Sequence, residues 1–480
     1  MNVELELLVS RLRWPIASTR WWAMQELSQL LQLPELREAA STRLLDELRS
    51  CRLEAEVVEV LFIFWMAAMR GYAPPPDLPE AVNLPSLLAS VLLDEMGLRS
   101  SQVLNPPLQV GPSDFDVPSN FFDIQGSQVP RIYLTRLERL ESYSGLPFVH
   151  QCGFEWSENQ LAYPDAPFQG DLTYFIRPIG EGMTGAFPSR TMLRMLSAYQ
   201  RTLAVAQQHW RAPGELMRQF ALEALPINPT LAFLRPFRPS WLPALGQHIG
   251  ADSAAVEAFI RGAVHALQTE DSNAALLSLA TPTYVSRDEF VELTVVRWRQ
   301  WSTSAINSEV LEARFRARID EGVFGRCKAA GLGVRTALPV LALDAVTDEE
   351  SQAAPMAAVQ GIDRLGYLQR DLYPERLYYP VVTGAHKNLS VEPVGDQLSV
   401  SSDLGQLATV HYWNSGWAPV HPASMGALCG TALVGARAML PDMGEASPLR
   451  HFYLWRLKRL KRPSGYGNFD VGELTGTVFE

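Results

Sequence analysis

Arg11–Leu31 reads RLRWPIASTRWWAMQELSQLL, and the fold of the first third of the chain turns on it. Trp14, Trp21 and Trp22 fall within nine positions, and Pro15 follows the first of them. A residue before proline is pushed out of helical geometry, so Trp14-Pro15 breaks a short helix over residues 2–12 from a second one. Ser18 or Thr19 is a suitable cap for that second helix. Within it Trp22, Leu27, Leu30 and Leu31 approximate the i, i+3, i+4 spacing of a buried stripe. Pro34 opens another helix with Leu36, Leu44, Leu45 and Leu48 on its inner face, and Glu54 to Met69 is a further one, apolar along one side. Short helices joined by tight turns, each with too little core alone, predict stacked hairpins.

The proline-led turn, the arginine and the amphipathic helix in RWPIASTRWWAMQELSQLL resemble HEAT or armadillo-like helical repeats over roughly the first 100 residues. Such repeats serve as interaction scaffolds, and the resemblance implies no active site. The general look, a HEAT-like helical scaffold in an arginine-rich chain, resembles accessory proteins of bacterial multi-gene systems, anti-phage defence among them.

At 480 residues the chain exceeds one ordinary core and predicts two or three domains. Hydrophobic residues make up 47% and charged ones only 19%, a globular balance. A net charge of −11 disfavours a whole-molecule electrostatic grip on nucleic acid and leaves only local patches for it. The basic side is nearly all arginine; the lysines are Lys328, Lys387, Lys458 and Lys461. Cys51, Cys152, Cys327 and Cys429 lie far apart with no CxxC, which fits a reduced compartment. The N-terminus carries acids early and lacks a signal-peptide core. The apolar run VVEVLFIFWMAAM is interrupted by Glu59 and falls short of the ~18–20 residues a spanning helix needs. A cytoplasmic protein without a membrane span is expected.

Residues 73–130 are rich in Pro, Asn, Ser and Gly, interrupted by a helix from Leu84 to Met96. Further helices are expected over IYLTRLERLESYSG, Arg190–Trp210, Ala212–Leu225, 252–268, 287–302 and 307–330, and a strand at DLTYFIRPI. Beyond the acidic run Asp344, Asp348, Glu349, Glu350, read as a solvated linker, the pattern changes. LYYPVVTG, LSVEPVG, QLSVSSD and LATVHYWNSG alternate with period 2 between turn residues, which predicts strands. A small-residue helix from Ala423 to Met439 and a closing strand in NFDVGELTGTVFE complete the reading. The expected fold class is α+β, predominantly α. It divides into a helical-hairpin domain over 1–100, a linker over 101–130, a mixed then helical central domain over 131–335 and a β-rich domain over 336–480.

No motif of known chemistry is complete. Gly180, Gly182 and Gly185 form a literal GxGxxG, but Phe187-Pro188 separates the last glycine from the following helix, and the first acid beyond is Glu215. There is no GxxxxGK[ST] and no HExxH. Around Ser424, Pro422 occupies the first glycine position of a GxSxG elbow. His150-Gln151-Cys152 and the trio His411, His421 and Cys429 have no recognised ligand spacing. No catalytic residue, metal ligand or cofactor is assigned.

Two candidate contacts remain. Trp14, Trp21 and Trp22 form a candidate protein-partner site, with core packing as the alternative use of the same rings. In PLRHFYLWRLKRLKRPSGYGN, Arg450, Arg456, Lys458, Arg459, Lys461 and Arg462 crowd into 13 residues. Together with Tyr453 or Trp455 as stacking rings they could meet nucleic acid, an acidic protein partner or an anionic surface; the plain alternative is an amphipathic helix with a solvated basic face. The sequence thus favours a non-enzymatic interaction subunit that docks a protein partner through its helical domain. The alternatives are an enzyme with an unrecognised central or C-terminal site, and a nucleic-acid adaptor working through 450–462.

Overall fold

The computed structural model describes residues 3–14, 17–99, 108–124, 132–159, 190–227, 229–233, 238–245, 249, 252–286, 289–301, 307–317, 353–355, 357–361, 378–382, 390–395, 397–402, 405–414, 429–439, 449–461, 463 and 470–480.

The helical part opens with α1 (Val3–Arg11), α2 (Ala17–Leu30), α3 (Arg37–Ser50) and α4 (Glu54–Ala68). Short helices α5 (Leu78–Ala81), α6 (Leu87–Glu95) and α7 (Ser119–Ile124) follow, then α8 (Ile132–Ser144) and α9 (Phe148–Glu158). Next come α10 (Arg190–Gln208), α11 (Gly214–Ala221) and α12 (Pro229–Ala232). The helices expected across these ranges are present, with boundaries within a few residues. Ser86 caps α6, its hydroxyl accepting from the Ala89 amide at 3.1 Å.

The centre of this part is α4. It is buried along nearly its whole length, its three glutamates included, and α2, α3, α6 and α10 pack against it. Its first turn is closed by Glu56, whose carboxylate accepts from the amides of Arg52 at 2.8 Å and Leu53 at 3.2 Å. One point of the helical reading is corrected. The buried stripe of α2 is Trp21, Met24, Leu27 and Leu31, not a stripe through Trp22. At about 100° of rotation per residue, Trp22 leaves the face that Trp21 occupies.

The sheet begins at Ala274, within the stretch expected to be helical. After α13 (Ser253–Glu270), β1 (Ala274–Ser286) and β2 (Glu289–Trp301) form an antiparallel pair. The helix expected over 287–302 is therefore β2. A helix α14 (Ser308–Ala317) follows, then β3 (Ala353–Pro355), β4 (Ala357–Gly361) and β5 (Tyr378–Val382). The chain continues through β6 (Ser390–Val394), β7 (Gln397–Ser402), β8 (Gly405–Asn414), β9 (Cys429–Ala436), β10 (Leu449–Lys461) and β11 (Asp470–Phe479). The helix expected over 423–439 is strand β9 with a short 3-10 turn after it, and the basic segment is strand β10, not an amphipathic helix. The strands expected at LYYPVVTG, LSVEPVG, QLSVSSD, LATVHYWNSG and the chain's last residues are present. The main sheet runs β11-β10-β2-β1-β9-β8-β7-β6, all antiparallel, and β3 pairs with β2 at Trp298–Gln300. β4 and β5 pair separately.

Alternation sends the side chains of each strand to two cores. Ala275, Leu277, Leu398, Val400, Val410 and Leu433 join one continuous core with helices α1–α12. On the opposite face Leu276, Leu279, Val291, Leu293, Val295, Tyr453, Trp455 and Leu457 pack against α13 through Val256, Ile260, Ala263 and Leu267. Two tryptophans lie flat across glycines of the next strand: Trp413 over Gly430 and Trp455 over Gly476. Only a residue without a Cβ leaves space for each ring, which is why glycine stands mid-strand at both places.

Candidate functional site

The first candidate lies at the α1–α2 corner. Trp14 is 51% and Trp22 69% exposed, whereas Trp21 is 3% exposed and packs on Phe62 with ring centroids 6.4 Å apart. Of the three expected contact residues, two are on the surface and Trp21 is core. Val3 and Leu7, one turn apart on α1, add exposed apolar surface. Ion pairs hold the corner from beneath. Arg13 reaches Glu47 of α3 at 2.6 Å and Glu56 of α4 at 2.7 Å. Arg20 of α2 pairs with Glu59 of α4, both side chains buried. Trp14 thus follows a residue tied to two helices, and Trp22 sits two positions from another tie. Arg13 also donates to the Cys51 sulfur at 3.7 Å; burial nevertheless dominates there and pushes the thiol up to about 12.

The second candidate is β10, the second strand from one end of the sheet. Its side chains alternate between faces. Tyr453 and Trp455 lie in the core against α13, so neither is placed to stack on a base. Tyr453 donates to the Leu276 carbonyl at 3.2 Å, and Arg297 lies over its ring at 5.5 Å. The other face carries Phe452, Leu454, Arg456 and Lys458. Register sets Arg456 between Thr294 and Thr475, Lys458 between Glu292 and Glu473, and Lys461 between Glu289 and Asp470. Arg459 pairs with Glu289, and Arg450 donates to Gln300 at 2.9 Å. Arg456 is buried, Lys458 half-buried and Lys461 exposed; Arg462 lies outside the described residues. Thr475 donates to Glu312 of α14 at 2.6 Å, which brings a further carboxylate over this face. Burial raises the Glu292 pKa, with Arg456 and Lys458 opposing it. Lys458 and Lys461 thus stand between acids of both neighbouring strands, a pattern the sequence hides because the partners on β2 lie far away along the chain.

The remaining motifs have structural settings or lie outside the described residues. His150 contacts the Phe115 carbonyl at 2.9 Å, and Gln151 accepts from the Gly111 amide and donates to the Gln109 carbonyl, both at 2.8 Å. Together they pin the segment from Gln109 to Phe115 onto α9. Cys152 is buried, and burial pushes its thiol up to about 12. His411 lies edge-on to Trp241 at 6.1 Å. Gly180, Gly182, Gly185, the strand expected at DLTYFIRPI, the acidic run from Asp344 to Glu350, His421 and Ser424 lie outside the described residues. Among the described residues no group of three or more His, Cys, Asp or Glu is placed to hold a metal ion.

A buried charge network inside the helical part went unread in the sequence. Arg201 of α10 bridges Glu54 of α4 at 3.2 Å and Glu155 of α9 at 2.6 Å. Arg136 of α8 pairs with Glu223 at 3.1 Å. Arg194, 4% exposed, differs: among the described residues it has no carboxylate partner. It donates to the Trp156 carbonyl near the end of α9 at 3.1 Å and lies over the Trp156 ring at 4.7 Å, and burial lowers its pKa. Cations favour helix C-termini, which accounts for its place there.

The sequence matches no protein-family model and no curated protein. Among the described residues no helix is long and apolar enough to cross a membrane.

Proposed function

We propose that this protein is a non-enzymatic interaction subunit that docks a protein partner through the α1–α2 corner, with Trp14 and Trp22 as anchors. The observation that carries the reading is their exposure: two tryptophans, each more than half exposed, on a corner held in place by the Arg13 and Arg20 ion pairs. Large aromatic rings on a prearranged surface give contact area at little entropic cost, which is how interface anchors work. A cytoplasmic accessory role in a bacterial multi-protein system, anti-phage defence among the settings, fits a subunit of this kind and belongs to the same proposal.

The test is capture of partners by the tagged protein from its native host, before and after Trp14→Glu and Trp22→Glu. A stoichiometric partner lost in both variants, with circular dichroism unchanged, supports docking at this corner. A partner retained by the double variant overturns it. The nucleic-acid reading through 450–462 ranks lower, because Glu292 and Glu473 flank Lys458, and Glu289 and Asp470 flank Lys461.

A further inference from the structure

The two ends of the main sheet are built differently. β6, at one end, has five residues, includes Pro393 and has α12 against it. Proline has no amide hydrogen to offer a new strand, and short, interrupted strands are the usual way to blunt a sheet edge. β11, at the other end, has ten residues and no proline; α13 and α14 pack against it and Arg261 of α13 donates to the Phe479 carbonyl at 3.0 Å, so its open stretch is the one before Leu474. The strand pairs with β10 along its whole length, from Lys461↔Asp470 to Phe452↔Phe479, and among the described residues no strand pairs with its other side. Asp470, Val471, Gly472 and Glu473 are all exposed, Val471 at 57%. In an edge strand the backbone N–H and C=O groups that point away from the sheet form a ready template for another strand.

Charge selects what that strand is. The charged side chains of the open stretch are Asp470 and Glu473, one on each face; on the β10 side they stand opposite Lys461 and Lys458, and on the outer side no described strand stands opposite them. The chain as a whole carries −11. Like charges placed opposite each other destabilise a strand pair and unlike charges stabilise it. The two carboxylates therefore work against an acidic strand and favour a basic one.

We infer that β11 is a docking edge for an extended basic segment of a partner protein, which adds to the sheet as a strand with Lys or Arg opposite Asp470 and Glu473. This surface is separate from the α1–α2 corner and does not depend on it; a Trp14→Glu, Trp22→Glu protein should retain it. The probe is a ten-residue valine/threonine peptide with two lysines three positions apart, against the same peptide with glutamates in their place. Binding is followed by fluorescence anisotropy at low salt, and the site by backbone amide hydrogen exchange over 470–479. The lysine peptide should slow exchange there and bind about tenfold more tightly than the glutamate peptide. Asp470→Lys with Glu473→Lys should reverse the preference. If those lysines beside Lys458 and Lys461 loosen β11, Asp470→Asn with Glu473→Gln should still abolish the preference in a folded protein. Absence of protection over 470–479, or a preference unaffected by either pair of substitutions, overturns the inference. So does concentration-dependent self-association that protects the same amides without any peptide, which would make a second copy the occupant.

Discussion

The helical part and the sheet bury charge in different ways. In the helices, Arg20 and Arg201 reach carboxylates on neighbouring helices and crosslink them inside a largely apolar core. In the sheet, Arg456 and Lys458 stand in rows that cross three strands and alternate with acids and threonines. A buried pair in the helical core is worth little relative to a well-packed apolar substitute but costs a great deal when halved. A cross-strand row is partly wet, and each of its members is worth correspondingly less. One chain thus contains sites where neutralising one carboxylate should destabilise it strongly and sites where a full charge change should be tolerated.

The sharpest way to break this contrast is Glu59→Gln, which removes the carboxylate that pairs with buried Arg20. A loss of about 3–5 kcal/mol is expected in urea unfolding, against a loss within ~1 kcal/mol for Glu473→Gln on β11. Equal losses would show that the two regions treat charge alike. Next in size is a steric test of the sheet. A Cβ at Gly476 would lie 2.5 Å from the Trp455 ring, so Gly476→Val should cost about 1–3 kcal/mol and alter the near-ultraviolet tryptophan signal.

A smaller effect comes from pH. Burial pushes the thiols of Cys51 and Cys152 up to about 12. The unfolded chain ionises its thiols near the ordinary value while the folded chain holds them protonated, so the folded state binds more protons in that window. Stability should therefore fall as pH rises above about 9, by roughly 1 kcal/mol per thiol for each pH unit. Cys51→Ala and Cys152→Ala should flatten that slope in alkaline melts. The smallest effect sharpens the comparison within the helices. Among the described residues Arg194 has no carboxylate of the kind that pairs with Arg20 and Arg201, so Arg194→Met should change stability by no more than about 1 kcal/mol, or raise it. A loss as large as that of Glu59→Gln would mean that its bond to the Trp156 carbonyl and its packing on the ring carry far more than a neutral contact should.

The helices were legible because their apolar residues recur at helical spacing and their ends carry ordinary stop signals, as at Trp14-Pro15. The sheet was legible only where one face is polar, as in Gln397–Ser402. β10 is buried on both faces over residues 452–457, so alternation disappears there, whereas in β2 Val291, Leu293 and Val295 do alternate with Glu292 and Thr294 before the pattern breaks at Val296. Val291, Val295 and Trp298 then mimic a helical i, i+4, i+7 stripe, and so do Leu454, Leu457 and Leu460 at i, i+3, i+6. The short alternation Val291–Val295 and the β-branched run Thr294, Val295, Val296 were the signs of a strand. At the α1–α2 corner, composition drew attention to three tryptophans, but which of them is buried depends on the phase of α2 against α4. The acids that flank Lys458 were out of reach of sequence reasoning, because the pairing of β10 with β2 joins residues from distant parts of the chain.

That pairing has a consequence for the nascent chain. The β1–β2 hairpin leaves the ribosome well before the strands that flank it, β9 beside β1 and β10 beside β2. At ordinary synthesis rates the wait for residues 449–461 is on the order of ten to thirty seconds. During it the hairpin has both edges unsatisfied, with Val291, Leu293 and Val295 covered on one side only by the α13 helix made just before. The long interval between residues 301 and 449 thus sets a time over which the hairpin's β2 edge is open to aggregation or to a chaperone.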